Sequence, residues 1–162
     1  MKILLLHIFL LAGFTSSFAQ SNCTIKKGYA FYNVSMPGAQ MADENGNPIP
    51  PKPNITRFIY VEYSGTKIPD IKTVIYNKEK LLFSVAPVPE KTVSIGDKAL
   101  NPNNLITAKK GNSFLKIDLQ PADGKPMPDT GCKVITIKSK VSSKLCSFII
   151  NSEKEFVTQP RP

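Results

Sequence analysis

The sequence contains no tryptophan, a single histidine, three cysteines and only 12 acidic residues against 21 basic ones. These shortages already exclude several classes. Three cysteines in 162 residues cannot make a disulfide-dense miniprotein. There is no glycine-every-third repeat and no heptad, so neither a collagen-like chain nor a coiled coil is expected. The missing tryptophan removes one hallmark of immunoglobulin domains. With 41% hydrophobic residues, the chain is too apolar to be wholly disordered.

The histidine is placed where it counts least. His7 lies in an apolar run, Ile3 to Phe14, preceded by Lys2 and followed by polar Thr15, Ser16 and Ser17. Ser17 and Ala19 put small residues at the −3 and −1 positions of a cut after Ala19, the pattern of a cleavable secretory signal peptide. The run is shorter than the roughly 20 residues a membrane span needs. No later apolar stretch is long enough either, so no transmembrane segment is expected after cleavage. The reading is therefore a signal peptide over 1–19 and one domain over 20–162. His7 leaves with the signal, and with it Ser-His-Asp and Cys-His catalysis and histidine-containing zinc sites. No cofactor motif is present. The expected location is outside the cytoplasm: secreted, periplasmic or on the cell surface.

What remains reads as strands. Runs rich in Val, Ile, Thr, Tyr and Phe recur between turn residues. They are Tyr29–Ser35, Ile55–Tyr63, Ile71–Tyr76, Leu81–Val88, Lys91–Ile95, Leu105–Lys109, Ser113–Leu119, Cys132–Ile137, Lys144–Asn151 and Glu155–Thr158. Lys110-Gly111-Asn112 predicts a hairpin between Leu105–Lys109 and Ser113–Leu119. In the latter, Leu115, Ile117 and Leu119 face the core and Lys116 and Asp118 face solvent, with Phe114 an apolar exception. Eight to ten strands without helices predict an all-β antiparallel sandwich, immunoglobulin-like.

Two stretches are too rich in proline for central strands: Met36–Asn54 and Pro121–Gly131. They are the expected contact loops, with Asp43, Asn45, Asn47, Pro48, Pro50, Pro51, Pro53, Lys125 and Asp129 as contact candidates. Within the first, Asp43-Glu44-Asn45-Gly46-Asn47 opens like a calcium loop, but Pro48 stands where glycine is needed and Asn54 where glutamate is needed. The eight residues Asp43 to Pro50 resemble the turn of carboxypeptidase-regulatory-like sandwich repeats of bacterial envelope proteins. Pro51 stands where that family usually has glycine. The resemblance implies a turn between strands of an envelope module.

Cys23, Cys132 and Cys146 in an exported chain predict one disulfide and one leftover thiol, with all three pairings open. A Cys132–Cys146 bridge between neighbouring strands requires a turn centred near Ser139. A turn at Ser142-Ser143 misaligns them, and Cys23 then ties the N-terminal segment to a late strand. Asp118, Asp123 and Asp129 are the acids available for a glycosidase pair, but two of them sit in ordinary turn sequences. The basic residues are scattered lysines, with only Arg57 and Arg161 as arginines. Phosphate and base recognition favour arginine forks, so nucleic acid is not an expected partner. Tyr29, Tyr32, Tyr60 and Tyr63 serve as exposed aromatic contacts or as half-buried strand packing. Asn22, Asn33 and Asn54 sit in N-glycosylation patterns that matter only in a eukaryotic secretory cell. The leading expectation is a non-enzymatic module of the bacterial envelope or exterior that binds a protein or polysaccharide. A small inhibitor presenting the proline-stiffened loop to a hydrolase is the alternative, and a carboxylate glycosidase the third.

Overall fold

The computed structural model describes residues 23–36, 41–50, 52–96, 104–122, 125–129, 131, 134–141 and 143–156. Among them the chain is all strand and turn. In order, the strands are β1 (Ile25–Ser35), β2 (Met41–Ala42), β3 (Pro48–Ile49), β4 (Asn54–Ser64), β5 (Asp70–Tyr76) and β6 (Glu79–Val88). They continue with β7 (Thr92–Ser94), β8 (Leu105–Thr107), β9 (Asn112–Gln120), β10 (Ile135–Val141), β11 (Lys144–Ile150) and β12 (Glu153–Glu155). The leader over 1–19 lies outside the described residues.

Eight strands form one sheet in the order β11-β10-β5-β6-β9-β4-β1-β12, curled into a half-barrel. All pairings in it are antiparallel except β1 with β12. The all-β expectation holds. The two-sheet sandwich and its immunoglobulin-like type are not confirmed, because the large strands belong to one continuous sheet. Alternation alone does not distinguish two stacked sheets from one sheet curled around its own side chains.

The concave side holds the main core. Ile59, Val61 and Tyr63 of β4 meet Leu115, Ile117 and Leu119 of β9, with Val74, Tyr76, Ile135, Ile137 and Ile150 from the far strands. The alternation read in β9 is therefore correct. Phe114, on its other face, is fully buried rather than solvated, beneath Ile106 and Ala108 with Tyr29, Tyr60, Val88, Val93 and Ile95 packed around them. The cover is supplied by β7 and β8, which pair with each other. That corrects the hairpin expected between β8 and β9. The tight turn does form, with Asn112 N–H donating to Lys109 O at 2.9 Å and Gly111 at φ 86°. The chain then leaves β8 behind, because buried Glu62 seizes the turn. Glu62 accepts from Lys109 N at 2.9 Å and Asn112 Nδ2 at 2.6 Å.

The two sheet edges come together. β11 and β12 are separated only by Asn151 and Ser152, yet they occupy opposite ends of the strand order. The line from β11 into β12 therefore runs alongside β1. Ala30, Phe31 and Tyr32 pair with Glu153, Lys154 and Glu155. Earlier along β1, a Cβ on Gly28 would stand 2.6 Å from Ile150 Cδ1 and 2.9 Å from Phe148 Cε1. Glycine is what lets the strands approach there.

Candidate functional site

The register places both proline-rich loops at one end of the sheet. Ser35 pairs with Asn54, so the loop over 36–54 caps the β1–β4 hairpin. Arg57 pairs with Leu119, so β9 ends, and the loop over 121–131 begins, at the same end. The two-residue turn Asn77-Lys78 also lies there, since Tyr76 pairs with both Glu79 and Ile135. Asn77 takes φ 55°, a left-handed value that asparagine tolerates in a tight hairpin.

Inside this end is a buried polar network that sequence reading missed. Arg57 Nε lies 3.1 Å from Glu153 Oε2, and the side chains are 1% and 2% exposed. Arg57 Nη2 donates to Asp129 O at 2.8 Å. Tyr76 Oη donates to Glu153 Oε1 at 2.6 Å and lies 3.1 Å from Asp129 O. The Arg57 guanidinium also stacks on the Tyr76 ring at 4.5 Å. The network anchors the Pro121–Gly131 loop by the backbone of Asp129. The one available signal was Arg57 interrupting the apolar side of β4, between Ile55 and Ile59.

Two cavities open beside it. One of about 300 Å³ is lined by Lys78, Glu79, Lys80, Leu81, Ala122, Lys125 and Pro126. The other, about 550 Å³, lies over Tyr76, Asn77, Lys78, Glu79, Pro128 and Val134. Of the contact candidates, Lys125 thus lines a cavity, while the exposed Asp129 side chain sits above its own anchored carbonyl.

The other loop carries its candidates on a small β2–β3 hairpin, Met41 opposite Ile49 and Ala42 opposite Pro48. Asp43 organises the turn. Its Oδ1 accepts from Asn45 N at 2.9 Å and Asn47 N at 2.8 Å, and its Oδ2 accepts from Asn47 Nδ2 at 3.1 Å. These bonds, led by the Asn47 side chain, hold the Asp43 carboxyl below its ordinary pKa. The carboxylate thus serves the turn. Asn45, Asn47, Pro48, Pro50 and Pro53 are all exposed, and Pro51 lies outside the described residues.

The remaining candidates are dispersed. Asp118 is on the convex face, 2.7 Å from Lys116. Asp129 gives only its backbone carbonyl to Arg57, while its side chain is exposed. Among the described residues no contact links the carboxylates of Asp118 and Asp129, and Asp123 lies outside the described residues. Tyr63 is core. Tyr29, Tyr32 and Tyr60 are half-buried, Tyr29 and Tyr60 edge-on to Phe114 at 6.3 Å, so strand packing accounts for these two. A further cavity of about 370 Å³ runs along β1 below β8, lined in part by Lys27, Tyr29, Asn104 and Lys154.

The β10–β11 register pairs Val141 with Lys144 and Ser139 with Cys146. The strands therefore stay paired up to Val141 and Lys144, and the Ser139-centred turn that a Cys132–Cys146 bridge required does not form. Cys132 lies outside the described residues. Cys23 and Cys146 are free thiols. No described helix is long and apolar enough to cross a membrane. No family model, curated protein or solved structure matches the chain significantly.

Proposed function

We propose that this chain is an exported, non-enzymatic binding module of the bacterial envelope or exterior, taking a protein or polysaccharide at its loop-bearing end. The observation that carries this reading is the convergence of both proline-rich loops on the end braced by Arg57, Glu153 and Tyr76. Loops held by a rigid scaffold are the usual place for recognition. Proline in the first loop lowers the entropy lost when it docks. Lys78, Lys80 and Lys125 around one cavity favour a ligand with acidic groups, such as a polyuronate or an acidic protein segment.

The test is binding to immobilised polyuronate, sulfated glycan and neutral glycan, at low and at physiological salt. The wild-type chain is compared with a Lys78→Glu/Lys80→Glu/Lys125→Glu variant. The expected result is salt-sensitive retention on an acidic polymer, reduced at least tenfold in the variant. Equal retention by the variant removes this end from the account.

A further inference from the structure

We propose that the convex face of β10 and β11 docks on an anionic phospholipid surface. The strand period of two sorts the side chains of these strands. Ile135, Ile137 and Ser139 of β10 and Ile150 of β11 are buried, and Phe148 packs against the core. Lys138 and Lys140, with Leu145, Ser147 and Ile149, therefore take the opposite face, and all five are exposed. The register sets them in rows with β5. Leu145 lies opposite Lys140, which lies opposite Asp70. Ser147, Lys138 and Thr73 make the next row, and Ile149, Thr136 and Ile75 the third.

The two halves of the convex face are treated differently. Over Phe114, Tyr29 and Tyr60 the β7–β8 ribbon covers the apolar side chains. Leu145 and Ile149 have no such cover, being 72% and 54% exposed. They stand about 13 Å apart along the last strand of the sheet, with Lys138 and Lys140 on the next strand inward. Asp70 is the one acid on these rows, and Lys72 Nζ lies 2.7 Å from it. The face is thus net positive, in a chain of formal charge +9.

The composition of the rows selects the occupant. They carry no aromatic ring and no arginine. Single-stranded nucleic acid is held by ring stacking, and protein hot spots centre on Trp, Tyr and Arg. An acidic polysaccharide uses the lysines and leaves Leu145 and Ile149 without a role. A bilayer of anionic lipid uses both: the aliphatic tips enter the acyl boundary, and the lysine ammonium groups meet lipid phosphates while their stems lie along the surface. None of these residues lines the cavity of Lys78, Lys80 and Lys125, so the two sites are tested apart.

The chain has no tryptophan, so one introduced ring reports its own surroundings. The full-chain variants Leu145→Trp, Ile149→Trp and Glu44→Trp are titrated with vesicles of phosphatidylcholine, and with vesicles of equal parts phosphatidylcholine and phosphatidylglycerol. All three positions are exposed, so thermal unfolding close to that of the wild type is expected. Emission is expected to shift to the blue for Leu145→Trp and Ile149→Trp on the anionic vesicles, and to revert at about 0.5 M salt. Glu44→Trp, on the β2–β3 turn, is expected not to shift. Adding Lys138→Gln/Lys140→Gln to Leu145→Trp is expected to weaken vesicle binding at least about tenfold, whereas Lys78→Glu/Lys80→Glu/Lys125→Glu leaves the shift in place. No shift at Leu145→Trp and Ile149→Trp, an equal shift on phosphatidylcholine alone, a shift at Glu44→Trp as large as theirs, or binding unchanged by Lys138→Gln/Lys140→Gln would overturn the proposal. So would a blue shift that rises with protein concentration in the absence of vesicles, which assigns the face to a second copy of the chain.

Discussion

Arg57 of β4 and Glu153 of β12 are separated by 96 residues in sequence, yet their side chains meet at 3.1 Å with almost no exposure. The pair joins the second long strand to the last short one. Through Asp129 O it also fixes the loop between β9 and β10. The geometry of the loop-bearing end depends on this contact.

Removing one partner leaves a buried charge uncompensated, which costs about 3–5 kcal/mol. Arg57→Met or Glu153→Leu is expected to lower the melting temperature by about 10 °C. The double variant Arg57→Met/Glu153→Leu recovers part of that loss, because both charges leave together. Thermal unfolding of the three variants checks this. A double variant that loses the full sum of the singles would contradict it.

Gly28→Val forces a branched side chain into the space of Ile150 and Phe148. The expected cost is about 1–3 kcal/mol, as for other overpacked sites. Gly28→Ala costs less, since the Ile150 side-chain tip can move. Hydrogen exchange is expected to rise in β12 and β11 before it rises in β9. Uniform loss of protection would show that the seam is not where the strain falls.

Phe114→Ala empties the convex-face cluster and costs about 3–5 kcal/mol. Its distinctive result is local: the β7–β8 ribbon, held by Ile106, Val93 and Ile95 against Phe114, becomes a protease-sensitive segment. Limited proteolysis reads this out. Cleavage elsewhere first would refute it.

Burial, then the neighbouring Cys146, push the Cys23 thiol up to about 11 from an ordinary 9.0, with Ser139 and Lys26 opposing. A raised acid of this kind favours the folded state while it is protonated. In the reduced chain that contribution is present below about pH 9 and is lost as pH rises toward 11. Comparing thermal unfolding of the reduced chain with that of its Cys23→Ser variant from about pH 8 to about pH 11 checks this, and an identical pH dependence of the two would contradict it.

Asp43 gives the opposite sign. Its carboxyl is held down by Asn47 and the turn amides, so the turn gains from it above the unfolded carboxylate value and loses that gain as pH falls through the lower folded one. A pH titration of the Asp43 carboxyl by NMR is expected to show a midpoint below the ordinary one. Asp43→Asn is expected to loosen the β2–β3 hairpin while leaving the main sheet intact.

Local chain chemistry determined most of the long strands, because β-branched and aromatic runs between turn residues act over a few residues only; the short β2 and β3 inside the first proline-rich stretch and the reach of β10 to Val141 were not among the expected runs. It placed Leu115, Ile117 and Leu119 inward, kept the proline-rich stretches out of the sheet, and set the turn at Gly111. Only the tertiary structure decided that the strands form one curled sheet, that β7 takes β8 from β9, and that Arg57 is buried beside Glu153. Those outcomes depend on side chains tens of residues apart competing for the same space and the same hydrogen bonds, and no short window of sequence contains both competitors.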